Sequence, residues 1–198
     1  MTRPYKEKGF TLARADLATR VLVTAFLLCV LAGVVVAALQ YSGRSGGFGI
    51  EAGEEWVLGN ESDEEATVFR VAKGRGELLA FTHDHIFSLA MVLFVVLHLV
   101  GLTPLTQRAK IALIVTSFGG LAGTLGFPWL VRAGGEGSGG RVFAMIVSGS
   151  ALLLGLAVGS IVVLLEMWVW PGIRRRRGRP EAPAADPMFP RRESRRSD

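Results

Sequence analysis

Cysteine is nearly absent from this chain: Cys29 is the only one. No disulfide can form within one copy, and there is neither a Cys-x-x-Cys-His for covalent haem attachment nor a Cys-rich metal motif. Histidine is almost as scarce, with three residues. No phosphate-cradling glycine loop and no nucleophile–base pair is present, so an enzyme acting alone is not expected. Basic residues are scarce outside three segments, and that asymmetry points to a membrane rather than to nucleic acid.

What the chain has in abundance is apolar sequence in long blocks. Half of its 198 residues are hydrophobic, and the mean hydropathy is +0.40. Four runs, Val21–Tyr41, Ala80–Leu102, Ile111–Val131 and Val142–Trp170, reach the ~20 residues that cross a ~30 Å hydrocarbon core. The first run is too long for the ~7–15-residue apolar region of a secretory signal, although Ala37-Ala38 offers small residues for cleavage, and it is read as a retained span. Cys29 lies inside it as a small packing residue. The sequence therefore predicts an all-α integral membrane protein: a basic N-terminal segment (1–20), a four-helix domain (21–170) and a basic tail (171–198) too rich in Arg and Pro to fold.

Most of the 22 basic residues fall in three places: before the first span, at Arg108 and Lys110 after the second, and in the tail from Arg174. Alternation across four spans puts all three on one side, so the positive-inside rule predicts cytoplasmic termini in a bacterial inner membrane. Arg174–Arg177 reads as a topology anchor at an anionic leaflet. Residues 42–79 then form an acidic outer loop expected to pack over the second span. Its Gly/Ser start reads as flexible. The stretch Glu54–Glu61 reads as an ordered patch, because Trp56 and Leu58 need cover. Its carboxylates read as solvated surface or as a docking face for a basic partner. The connection from Arg132 to Gly140 is glycine-rich and expected to be flexible.

Small residues recur at four-residue spacing, Gly119 and Gly123, then Ala151, Gly155 and Gly159. Such faces let helices approach closely in lipid, or clear room for a flat cofactor such as a porphyrin. Trp168 and Trp170 before Pro171 read as an aromatic belt. Glu166, one turn inside it, reaches the interface, pairs with a nearby arginine or handles protons.

All three histidines lie on the second predicted span: His83 and His85 in Thr82-His83-Asp84-His85, and His98 further along. Ionisable side chains inside a membrane are costly and mark function by default. On a helical wheel His98, Phe94, Met91 and Phe87 follow one face, with His83 and Asp84 to either side and His85 about 140° away. His98 is roughly 20 Å along the axis from His85, so one ion cannot bridge them. Three readings follow. The first is haem b, with His83, His85, His98 and Met91 as cofactor-facing residues and an opposite ligand from Met145, Met167 or another subunit. The second is a divalent metal held at the outer face by His83, His85 and Glu61 or Glu77, if the helix starts only after His85. The third is a quinone site in which Asp84 and a histidine accept protons beside Phe81 or Phe87. Against them stands a plain structural role, with Thr82 as helix cap, Asp84 at the helix N-terminus and His98 bonded to a neighbouring span.

Leu58-Gly59-Asn60-Glu61, Gly76-Glu77-Leu78-Leu79, Thr82-His83-Asp84-His85 and Leu97-His98-Leu99 together resemble a family of small bacterial membrane proteins with four spans, a Gly-Asn-Glu segment and a Thr-His-x-His motif. The resemblance runs from about Ala13 to the fourth span. It implies an architecture and a candidate site rather than a reaction, and it brings Glu61 into one motif set with the histidines. The spacing of His98 from His83 and His85 is also similar to that of paired histidines in membrane b-type cytochromes. The expectation is a non-catalytic membrane subunit of a respiratory or photosynthetic electron-transfer assembly, in contact with lipid and other redox subunits or a second copy. An outer-face metal-binding protein and a structural scaffold are the alternatives. No nucleic-acid partner is expected.

Overall fold

The computed structural model describes residues 12, 15–44, 49–61, 63, 65, 66 and 68–170, with Arg44 described for its backbone alone. The Arg-rich tail, most of the basic N-terminal segment and most of the Gly/Ser stretch lie outside the described residues, and so does the disorder expected of the tail. Among the described residues there are five helices and no strand: α1 (Leu17–Arg44), α2 (Ile50–Leu58), α3 (Arg75–Gly101), α4 (Gln107–Gly134) and α5 (Gly139–Trp168). The helices α1, α3, α4 and α5 are each long and apolar enough to cross a membrane. The expected four-span all-α bundle is what the chain forms.

All four spanning helices begin before their apolar runs, and local caps account for the extension in three of them. The Asp16 carboxylate accepts from Thr19 N at 2.8 Å and starts α1 at Leu17. The Thr19 side chain first, and its backbone N–H second, hold the Asp16 pKa below the ordinary carboxylate value. Glu77 reaches back to accept from Gly74 N at 2.7 Å and starts α3 at Arg75. Thr106 accepts from Ala109 N at the start of α4. In contrast, α5 stops at Trp168, two residues short of its apolar run.

The helix α5 is the common partner. It packs most extensively on α4, and α1, α2 and α3 also lie against it. Between lipid-embedded helices close approach, rather than escape from water, supplies the attraction, so small residues decide the seam. A Cβ on Gly120 of α4 would lie 2.7 Å from Leu152 N and 2.8 Å from Ser148 O of α5. Gly123 meets Ser148, and Gly155 meets Ser117, in the same seam. Gly159 meets Val96 and Val100 of α3. The expected α4 face is therefore corrected at one position: Gly119 faces open space, and its neighbour Gly120 makes the contact.

The outer segment also differs from its expected placement. It contains a helix, α2, that lies chiefly on α4 and α5 rather than over α3. Val57 is fully buried in a cluster with Val131, Val142 and Met145. The Glu54 carboxylate accepts from Gly137 N at 2.8 Å and Ser138 N at 3.2 Å, which fixes the glycine-rich connection at the start of α5. Contact with α3 is made through Trp56, whose ring meets Phe81 edge-on at 5.8 Å.

Two tryptophans frame the span. At the end carrying the loops (the loop end), Trp129 Nε1 donates to Thr82 Oγ1 at 3.0 Å. At the opposite, terminal end, Trp168 Nε1 donates to Thr24 Oγ1 at 3.0 Å, and the Arg20 guanidinium lies 4.0 Å over the Trp168 ring while donating to Met167 O at 2.7 Å. Tryptophan favours membrane boundaries. From Thr82 to Gly101, the last residue of α3, the helix rises about 28 Å. That matches one hydrocarbon core of ~30 Å.

The histidine face of α3 as candidate functional site

With α3 beginning at Arg75, His83 and His85 sit in its third turn and diverge by about 200°. The condition for a shared outer-face metal site, a helix starting after His85, is not met. Among the described residues no group of three or more His, Cys, Asp or Glu side chains is arranged to hold a metal ion. Glu77 is taken up by the α3 cap, and Glu61 is an exposed loop residue. Thr82 is not the helix cap either. It lies two turns inside α3, donates to Leu78 O at 2.8 Å and accepts the Trp129 indole.

The two outer histidines have different surroundings. His83 is exposed, its Nδ1 3.4 Å from Asp84 Oδ1 and its ring edge-on to Phe87 at 6.2 Å. An exposed pair at that distance contributes little stability. His85 has a fixed orientation. Its Nδ1 lies 2.8 Å from Phe81 O, one turn back, and the bond requires the proton on Nδ1. Nε2 is then the acceptor. The ring is tilted over Phe81 at 4.6 Å, and Phe81 in turn meets Trp56. A backbone carbonyl on one ring nitrogen is how ligating histidines are generally held, because it sets the tautomer and aims the free lone pair.

His98 lies at the other end of the span, three residues before the end of α3. It is exposed on the same outward face as Phe87, Met91 and Phe94, which are 73%, 64% and 62% exposed. Its ring stacks on Phe94, centroids 6.0 Å apart and planes 22° from parallel. It makes no hydrogen bond among the described residues, so the expected bond to a neighbouring span is not formed. His98 instead borders an open groove of about 480 Å³ between α3 and α4, lined by Phe94, Leu97, His98, Gly101, Leu102, Ile114 and Phe118. Every other side chain of that groove is apolar.

The methionines offered as opposite haem ligands are occupied elsewhere. Met145 is buried beneath α2, and Met167 is in the main core. Glu166 is fully buried in the last turn of α5, so it does not reach out to the interface.

The model of a transmembrane helical domain family matches residues 47–177. The chain belongs to that family. The family domain takes in α2 to α5, and with them every histidine, while α1 lies outside the matched residues. No curated protein and no solved structure matches the chain.

Within the family domain the structure gives Gly59 and Asn60 a physical role that sequence reasoning did not assign. Gly59 has φ +77° and ψ 178°, a region essentially confined to glycine. A Cβ there would lie 2.5 Å from Ala72 N. Asn60 closes the loop: its N donates to Arg70 O at 2.9 Å, its Oδ1 accepts from Arg70 N at 2.7 Å, and its Nδ2 donates to Val68 O at 2.8 Å. The Gly-Asn dipeptide was a turn signal in its own right. The roles of Trp129 and Glu54 had no comparable signal, because both depend on partners 47 and 83 or more residues away.

Proposed function

We propose that this membrane protein is a non-catalytic subunit of a respiratory or photosynthetic electron-transfer assembly, and that His85 would hold haem b at the loop end of the span. The observation that carries the reading is the His85 Nδ1 to Phe81 O bond, which orients the ring and, in the neutral imidazole, leaves the Nε2 lone pair for ligation. Trp56 and Phe81 add aromatic surface beside it. Haem b bound there supplies one-electron exchange. The chain's own contribution is to fix the tautomer, orient the ring and keep it at the membrane boundary marked by Trp129 and Thr82. A second donor would have to come from a neighbouring subunit or a second copy, since Met145 and Met167 are packed inside the bundle.

The membrane is a bacterial inner membrane with both termini in the cytoplasm. Arg108 and Lys110 at the terminal end support that orientation, and Lys110 closes α3 by donating to Gly101 O at 2.7 Å.

A reduced-minus-oxidised difference spectrum of the full-length protein, purified from haem-replete cells, tests the reading. A b-type α-band that shifts in His85→Met and disappears in His85→Leu is expected. Protein without an α-band refutes haem ligation. Cytochromes that still co-purify after all three histidines are replaced make the chain a scaffold.

A further inference from the structure

From the groove beside His98 we infer a second site, at the terminal end of the span, that binds the headgroup of a membrane quinone. The inference does not depend on haem at His85, which lies roughly 20 Å away along α3.

An imidazole at a membrane boundary that faces an apolar groove and has no protein hydrogen-bond partner is open to a ligand that brings its own hydrogen-bonding group. His98 is in that position among the described residues, while the polar side chains around it are satisfied. Thr103 Oγ1 donates to Val100 O at 2.7 Å, and Lys110 Nζ donates to Gly101 O. The ligand that satisfies His98 must fit an otherwise apolar groove of about 480 Å³, within the ~300–1,000 Å³ usual for small-molecule clefts.

The chemistry of the lining selects the ligand class. Bis-axial haem ligation needs a second donor, and His98 is the only ligating side chain in the groove. A quinone ring needs less. One carbonyl accepts from an imidazole N–H, or one quinol hydroxyl donates to an imidazole nitrogen, and flat apolar surfaces cover the ring. Phe94, nearly parallel to the imidazole, and Phe118 across the groove are such surfaces. The depth also fits. His98 is three residues from the end of α3, so it lies about 4.5 Å inside the helix end. A headgroup there is near water, while an isoprenoid tail leaves through the open side into lipid.

Gly101 gives a clean way to fill the groove. A Cβ added there meets nothing within 4 Å, so a side chain at this position can grow into the groove, and Gly101→Leu is the variant that fills it. The test is calorimetric titration of full-length protein in quinone-free detergent with decylubiquinone and, separately, with menaquinone-4. Saturable binding of either is expected, weakened about tenfold by His98→Leu, abolished by Gly101→Leu and unchanged by His83→Leu. Circular dichroism confirms that each variant retains its helices. Binding that neither groove variant alters marks an acyl-chain contact, and absence of binding for both quinones overturns the inference. Loss of a b-type α-band in His98→Leu, with quinone binding retained, would assign the groove to haem instead. An α-band lost in His85→Leu but kept in His98→Leu supports haem at His85 whatever the quinone titrations give, and quinone binding without any α-band leaves the groove reading standing alone, so the two readings fail separately.

Discussion

The two ends of α3 treat their polar side chains in opposite ways. At the loop end Thr82 holds the Trp129 indole, Glu77 caps the helix and His85 is tied to the backbone one turn back. At the terminal end Thr103 and Lys110 satisfy the helix carbonyls and leave His98 alone in an apolar groove. Depth is comparable, since each histidine level lies close to one membrane boundary. The difference comes from what stands beside the helix. At the loop end Trp129 of α4 reaches Thr82 and Trp56 of α2 meets Phe81, whereas between α3 and α4 at the terminal end there is an open apolar groove. A histidine fixed by its own backbone suits ligation through its free nitrogen, and one without a partner suits a ligand that brings its own hydrogen-bonding group.

The largest disturbance should remove the distinction altogether. Gly120→Leu forces a side chain into the backbone of α5, which should cost about 1–3 kcal/mol or more and disorder both ends together. Gly119→Leu, one residue away and facing open space, should stay within about 0.5 kcal/mol of the parent. Thermal unfolding in detergent separates the two.

Gly59→Ala should act on the loop end alone. The strained conformation costs about 1–3 kcal/mol for a residue with a Cβ, with the contact to Ala72 N in addition. Faster proteolysis between α2 and α3, with unchanged quinone binding at His98, is the expected pattern. Loss of both would mean that the ends are coupled.

A smaller effect is expected from Trp129→Phe, which removes the indole donor to Thr82. Interhelical hydrogen bonds in membranes average about 0.6 kcal/mol. The His85 environment should shift by NMR and that of His98 should not.

The smallest effect concerns α1 and acid pH. A carboxylate whose folded-state pKa is lowered contributes stability that is full above its unfolded value and is lost as the pH falls through the folded one. Asp16 is such a group, held low by Thr19. Amide exchange at Thr19 should therefore accelerate as the pH drops below the ordinary carboxylate range and stay flat near neutrality. Asp16→Asn should abolish that pH dependence, and neither histidine site should respond.

Much of this protein was legible in its residues. Apolar runs of membrane-crossing length fixed the four spans, since burying uncharged backbone in lipid admits few alternatives to a helix. The 100° step of a helix separated His98 from His85 before any packing was known. Helix ends were less legible, because Asp16, Glu77 and Thr106 act through short hydrogen bonds that extend a helix past its apolar stretch. Tertiary structure alone decided which face of each helix meets a neighbour. The hydrophobic pattern carries little of that information in a membrane, where lipid-facing and protein-facing sides are equally apolar. Phe87, Met91, Phe94 and His98 could have lined the bundle interior as readily as its outside. Gly120, Gly155 and Gly159 settled the question: by letting α4 and α3 close onto α5, they turned Leu93, Val96, Leu97 and Val100 inward and left the histidine face outward.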